Sequence, residues 1–549
     1  MPFLAIFARK QISKRKMKQR TALLLLASAL MAWPWRGVAQ QSHDEHFGQS
    51  CTSIMVSKGA STDGSVITSH SCDGRYRTWL TVEPARDYPR DTVTAIYKGL
   101  LKTETPYDHR NVTQAGTIPQ VGHVYAFLNT AYPCLNEHQL AIGETTIVGA
   151  DTLVNPKAMF LVEELQRIAL QRCTTAREAI KLIGQLIEQY GYADYGECLT
   201  IVDKNEVWHL EMFGEGPDRI GGVWAAQRIP EGHVGVSANI SRIGELRTDD
   251  PEHFMASANV QDVAKRLGLW DGKQPFKFWK AFGDRKKPFM VREYFILNKL
   301  APSLKLSMDM AELPFSVKPD KKVSVHDVMA LYRETYEGTP YDMTQNLKVE
   351  QQRTVNGKKV KEMVKSPTAN PWLTTETRNL YNALKPNAVT FQRTVAVAWC
   401  SYSHIIQLRS WLPDQLGGLA WFSFDNPGQS PRIPIYSGCT QLPPSFALCG
   451  QKQYRPETPL WSYRRANRLA TVQWQSTKQG MLDEVAHFER MVADGTAQLE
   501  RTVAQLMADG KADEATALIN RYTRDMLHQT SARWAELEAE YWHNLWRGF

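Results

Sequence analysis

The chain has 549 residues, 43% hydrophobic and 10% aromatic, enough for a large core and more than one packed unit. This composition excludes a disordered chain, and no apolar run reaches the roughly 20 residues that a membrane span needs. The formal charge of +8 sits in residues 1–39, which hold eight of the 65 basic residues and no acid. From Gln40 onward 57 bases face 57 acids, so the charge gives no argument for nucleic-acid binding.

The first element is a leader. Seven bases lie between Arg9 and Arg20, Thr21 to Trp33 form an apolar core of 13 residues, and Gly37-Val38-Ala39 is a small-x-small site. Together these predict a secretory signal peptide over 1–39 and an exported protein, whether periplasmic, cell-envelope or secreted. Met17 offers a second start with a more ordinary basic region. The polar segment 40–50 then reads as a short propeptide. A lipid anchor on Cys51 fits badly, because the apolar core ends well upstream of it.

Cys51 opens the stretch CTSIMVSKGASTDGSVITSHSCD, which reads as a β-hairpin. Ile54-Met55-Val56 is one strand, Val66 starts the second, and Asp63-Gly64 lies in the turn between them. A cysteine that becomes residue one carries its own base, since its free α-amine lies beside the thiol. The plain alternative is a buried strand cysteine.

Residues 74–120 read as mixed strands and loops. Two apolar runs in 123–147 flank Pro133–His138 in a hairpin-like pattern, where Asn136-Glu137 is turn chemistry. Helical periodicity follows at 158–170 and 175–190, the second opening on the capping box Thr175-x-x-Glu178 and ending at Gly191. Cys198–Val202 and Glu206–Phe213 predict a hairpin around Asp203-Lys204-Asn205. Val223–Arg228 and His233–Asn239 predict another around Pro230-Glu231-Gly232. Helices near 288–300 and 325–336 lie among Pro/Gly-rich loops, and Lys348–Lys365 is an exposed loop or hairpin around Asn356-Gly357. Strands are predicted at Thr394–Trp399, Ile405–Arg409 and Leu419–Phe424. From about 456 the pattern is helical, with Trp534, Tyr541, Trp542 and Trp546 expected to pack on the body. Two helices between groups of strands indicate an α+β fold with antiparallel sheets. Cysteines 51, 72, 134, 173, 198, 400, 439 and 449 lack CxxC spacing, and the 14 histidines form no metal-like pattern, so no metal is expected. Export permits a bridge such as Cys439–Cys449.

Four stretches in order resemble one family: CTSIMVSKGASTDGSVIT from Cys51, AYPCLNEHQLAIGETT at 131–146, YGECLTIVDKNEVWHLE at 195–211 and GGVWAAQRIPEGHVGVSANISRI at 221–243. Weaker echoes lie at GTPYDMTQ (338–345) and HIIQLRSWLP (404–413). The chain resembles the dipeptidase A-type cysteine peptidases of the N-terminal-nucleophile (Ntn) hydrolases, relatives of penicillin V acylase, bile-salt hydrolase and acid ceramidase. The resemblance implies an αββα four-layer sandwich spanning residues 51–455, with 456–549 a helical region packed on it. It implies self-cleavage that exposes Cys51 as nucleophile. Asp73 matches the aspartate that orients the α-amine and receives substrate, and Asn239 the asparagine that helps form the oxyanion hole. Glu144, Thr145 and Thr146 sit where relatives place substrate-contacting or oxyanion residues, and His70 is placed with them as substrate-binding. Two departures stand out. Many members carry an arginine where this chain has His70, for which Arg75 is a candidate substitute, and Cys72 replaces a glutamate that often precedes the aspartate.

The expected activity is hydrolysis of dipeptides or short peptides through a thioester on Cys51, without a cofactor. The alternatives are an N-acyl amide hydrolase of the same mechanism and a catalytically silent envelope binding protein. No nucleic-acid partner is expected, and no membrane span once the signal is removed. A homo-oligomer is left open.

Overall fold

A computed structural model describes residues 50–545. The expected signal peptide, the propeptide up to residue 49 and Trp546 lie outside the described residues.

β1 (Ser50–Val56) and β2 (Val66–Asp73) form the expected hairpin, with Cys51 opposite Cys72 and Val56 opposite Ile67. Gly64 takes φ 81° in the turn, a conformation that costs glycine nothing. β3 (Thr81–Glu83), β4 (Phe127–Asn129), β5 (Leu135–Asn136) and β6 (Ala141–Thr146) follow. Asn136 makes the β5–β6 turn: its Oδ1 accepts from the backbone N–H groups of His138 (3.1 Å) and Leu140 (3.0 Å). Its amide donates to Leu170 O and Cys173 O, both at 2.9 Å, which ties that turn to the end of the next helix.

α1 (Val162–Arg172) leads into α2 (Ala176–Tyr190), whose capping box is formed by Thr175 and Glu178 as predicted. Ile180, Ile183, Leu186 and Ile187 bury the inner face of α2. Then come β7 (Glu197–Val202), β8 (Val207–Gly214), β9 (Gly222–Arg228), β10 (Val234–Ser237) and β11 (Phe254–Ala256). α3 (Val291–Leu300), β12 (Ser316–Val317) and α4 (Val325–Tyr332) precede an exposed two-stranded hairpin turning at Asn356-Gly357. β13 (Cys400–Leu408), β14 (Gly418–Phe424) and β15 (Ile433–Tyr436) complete the strands. Three helices close the described chain: α5 (Pro459–Val472), α6 (Trp474–Ala508) and α7 (Ala512–Asn544).

The strands make a seven-stranded sheet, β12-β10-β1-β2-β13-β14-β15, and an eight-stranded sheet, β11-β9-β8-β7-β6-β5-β4-β3. Every pairing in both is antiparallel, so the fold is α+β as expected. The sheets face each other through polar contacts near the first hairpin. Ser53 Oγ and Thr68 Oγ1 lie 2.8 and 2.7 Å from Thr200 Oγ1, and Thr145 Oγ1 lies 2.5 Å from Ser237 Oγ. α2 packs on β7, β8 and β9, whereas α3 packs on β10, α4 on β13, and α5 to α7 on β14 and β15.

Two sequence expectations fail. β9 and β10 do not form a hairpin; they belong to opposite sheets. The turn at Pro230-Glu231-Gly232 carries the chain across, with Ile229 N–H donating to Val207 O (2.8 Å) and β10 pairing instead with β1, Val236 opposite Ile54. A Pro/Gly turn reverses direction equally well for either outcome, so only packing separates them. The run Thr394–Trp399 is largely buried but irregular; its backbone bonds to scattered partners instead of a strand, Ala396 N–H donating to Glu334 O (3.0 Å) and Ala396 O accepting from Trp372 Nε1 (2.9 Å). All eight cysteines are free. No helix among the described residues is long and apolar enough to cross a membrane.

Candidate active site

Cys51 lies at the start of β1 and is fully buried. Its backbone N–H donates to Asn239 Oδ1 at 2.9 Å, and its carbonyl accepts from Arg292 Nη1 at 2.5 Å. Asn239 sits just past β10 with φ 68°, a left-handed conformation that asparagine tolerates better than most side chains. That kink turns its amide back toward β1, while Nδ2 donates to Thr146 O at 2.7 Å and so ties β10 to β6.

Arg292, the second residue of α3, fills the space behind them. Its Nη1 also donates to Thr52 Oγ1 (3.0 Å), and its Nη2 to Ala238 O (3.0 Å) and Asn239 Oδ1 (2.7 Å). Burial pulls this guanidinium down to about 10, so it stays charged at neutral pH. A planar fork donating to four acceptors holds the carbonyl of residue 51 directly and its N–H through Asn239.

Asp73, at the end of β2, accepts on Oδ2 from Arg393 Nη2 (2.6 Å) and Ser71 Oγ (2.9 Å). Its buried Oδ1 has no hydrogen-bond partner among the described residues. Arg393 also donates through Nε to Ser50 Oγ (2.9 Å) and through Nη2 to Ser50 O (3.3 Å). One guanidinium therefore touches both Asp73 and the residue before Cys51. Arg75, the substitute that the sequence suggests, is exposed.

His70 projects from β2 beside β6, its Nδ1 2.7 Å from Glu144 O and 3.6 Å from Glu144 Oε2. The ring packs edge-on to Tyr132, with centroids 5.3 Å apart. Burial pushes its pKa down to about 4, so it is neutral at pH 7 and does not stand in for an arginine's charge. Thr146 Oγ1 donates to Glu144 Oε1 (3.0 Å), whereas Thr145 faces Ser237 and braces the sheets. Burial raises both Glu144 and the neighbouring Glu197, so this pair holds a proton where isolated carboxylates would not. Burial, then the negative charge of Glu144, Cys72 and Asp73, holds the Cys51 thiol well above its ordinary range, and with Ser50 still attached it has no adjacent amine.

The structure thus gathers Cys51, His70, Asp73, Glu144, Thr146 and Asn239 at one end of the two sheets, while Thr145, between Glu144 and Thr146 on β6, bonds to Ser237 of the facing sheet. Sequence reasoning missed Arg292 and Arg393. Arg292 precedes Glu293 in a helical first turn and reads as a solvated pair; the arginine ahead of the apolar run at 394–399 was the only hint of the other.

A family model described as Peptidase family C69 matches residues 50–486. The chain is similar to a probable dipeptidase of Latilactobacillus sakei, 24% identical over 442 residues, which cover 79% of this chain and 84% of the relative. It is similar to dipeptidase A of Lactobacillus helveticus, 23% identical over 414 residues, 72% of this chain and 77% of that one. A probable dipeptidase of Salmonella dublin is 25% identical over 419 residues, 72% of this chain and 82% of the relative.

Proposed function

The chain belongs to peptidase family C69, and from that premise we propose an exported cysteine dipeptidase whose nucleophile, Cys51, becomes residue one by self-cleavage. The observation that carries this reading is the hold on the nitrogen of residue 51 as well as on its neighbours. Asn239 Oδ1 accepts from that nitrogen at 2.9 Å and is itself fixed by Arg292 at 2.7 Å. A merely structural strand cysteine needs no such arrangement; a nitrogen that serves as base does. Two antiparallel sheets face to face, with helices against each, support the αββα sandwich of the Ntn hydrolases.

In self-cleavage the Cys51 sulfur attacks the Ser50 carbonyl carbon, whose oxygen Arg393 contacts. The peptide nitrogen takes the thiol proton and leaves as the free α-amine of Cys51, and water hydrolyses the resulting thioester to the Ser50 carboxylate and the free thiol. In turnover the amine takes the thiol proton and sulfur attacks the substrate carbonyl. The proton passes to the departing amine, leaving a thioester. Water, deprotonated by the Cys51 α-amine, attacks the thioester, and the proton passes to the departing sulfur, which releases the acid and restores Cys51. The unpartnered Asp73 Oδ1 suits a substrate's ammonium end, which favours unblocked dipeptides over N-acyl amides.

N-terminal sequencing and intact mass of the exported protein test the premise: the expected chain begins at Cys51, and a mature chain beginning at Gln40 overturns the free-amine base. Cys51→Ser is expected to slow dipeptide hydrolysis by about 10²-fold or more, and unchanged turnover sinks the mechanism. Hydrolysis of N-acyl amides with no action on dipeptides selects the amidase instead.

A further inference from the structure

We propose that Cys51, His70 and Glu144 form a site for a zinc-type divalent cation that reversibly silences the nucleophile. The thiol sulfur, an imidazole nitrogen and a carboxylate oxygen of these residues lie within 4.8 Å of one another, and all three side chains are buried. They arrive from β1, β2 and β6, so the cluster bridges the two sheets, and each strand is held in register by its neighbours. Linear spacing does not reveal it, because the residues are 19 and 74 positions apart in two steps.

Two atoms point to a ligand. Glu144 Oε2 and His70 Nε2 are buried and have no hydrogen-bond partner among the described residues. His70 Nδ1, 2.7 Å from the Glu144 carbonyl, is the protonated nitrogen, which leaves the lone pair on Nε2. Metal-binding histidines are commonly oriented by such a carbonyl contact. An arginine at position 70 offers no lone pair, so the histidine gives this chain its ligand capacity. Sulfur, imidazole and carboxylate together favour zinc over the hard ions calcium and magnesium, which take oxygen ligands. On binding, a sulfur–metal bond replaces the S–H bond and the proton leaves to solvent. That an ion here stops hydrolysis rests on Cys51 being the nucleophile; that it binds does not.

Cobalt(II) added to the full-length purified protein is the probe. The expected result is a thiolate-to-cobalt charge-transfer band at one equivalent, removed by Zn²⁺ in competition. Cys51→Ala is expected to abolish the band, His70→Gln and Glu144→Gln to weaken binding about tenfold or more, and Cys439→Ser to keep it. No band in the unmutated protein, or a band that survives Cys51→Ala, overturns the site. X-ray absorption of the zinc-loaded unmutated protein requires no variant: one sulfur among nitrogen and oxygen neighbours supports the site, and a shell without sulfur overturns it. Zn²⁺ is expected to inhibit dipeptide hydrolysis and a chelator to restore it; activity that persists at saturating Zn²⁺ overturns the silencing. A protein that binds cobalt through Cys51 yet cleaves no dipeptide keeps the ion site and sinks the peptidase reading.

Discussion

At the scale of single residues, the site depends on two buried arginines that bind backbone as much as charge. Arg393 reaches Asp73 across 320 positions of sequence and contacts Ser50 with the same guanidinium. Replacing it by glutamine leaves a fully buried carboxylate without its counter-charge, which costs about 3–5 kcal/mol. The expected outcome for Arg393→Gln is a loss of that size in urea unfolding, together with slower appearance of the Cys51 terminus by mass spectrometry. Processing at the unmutated rate removes Arg393 from the cleavage step. Cys51 enters the candidate site through its hairpin, and Asp73 and Asn239 through the resemblance of the motifs that carry them. The arginines were not legible in the sequence, because nothing in a local pattern tells a buried guanidinium from a solvated one.

At the scale of elements, β8 steers the segment that carries Asn239. His209 Nε2 lies 2.7 Å from Glu211 Oε1, and the Glu211 carboxylate accepts from the backbone N–H groups of Arg242 (2.6 Å) and Ile243 (3.2 Å) and from Ser241 Oγ (2.5 Å). Burial works against the charged imidazole, but Cys198 and Glu211 outweigh it and push His209 up to about 10. A raised folded-state value means that the stability is fully present below the unfolded value of about 6.5 and is lost as pH rises through 10. Between pH 7 and 9.5 the unmutated protein is expected to lose on the order of 3 kcal/mol that His209→Gln does not lose, measured by chemical denaturation at each pH. Equal slopes in the two proteins rule the pair out as the cause. β8 itself was readable from its turn at Asp203-Lys204-Asn205, whereas the grip of Glu211 on residues 241–243 was not, since it joins separate elements.

At the scale of the whole molecule, the C-terminal helices share the core of the sheets. Thr523 Oγ1 donates to Pro434 O (2.8 Å), and Glu500 Oε1 accepts from Tyr436 OH (2.9 Å) and Arg409 Nη1 (2.5 Å). Trp534 is fully buried between Tyr463 and Phe488, its Nε1 donating to Asn467 Oδ1 (3.1 Å), and Tyr541 is buried too, while Trp542 is 53% exposed. Trp534→Ala is expected to cost about 3–5 kcal/mol within a single unfolding transition. A separate early transition in calorimetry identifies the helices as an independent unit instead. The sequence by itself determined the first hairpin, the α2 cap, the turns and the helical C-terminus, because side-chain period and turn chemistry act over a few residues. Only tertiary structure decided that β10 leaves β9 for the other sheet, that Arg292 and Arg393 close on residues 50–52 and 73, and that Cys51, His70 and Glu144 meet. Each of these follows from burying two sheets against each other, a long-range choice that the local pattern leaves degenerate.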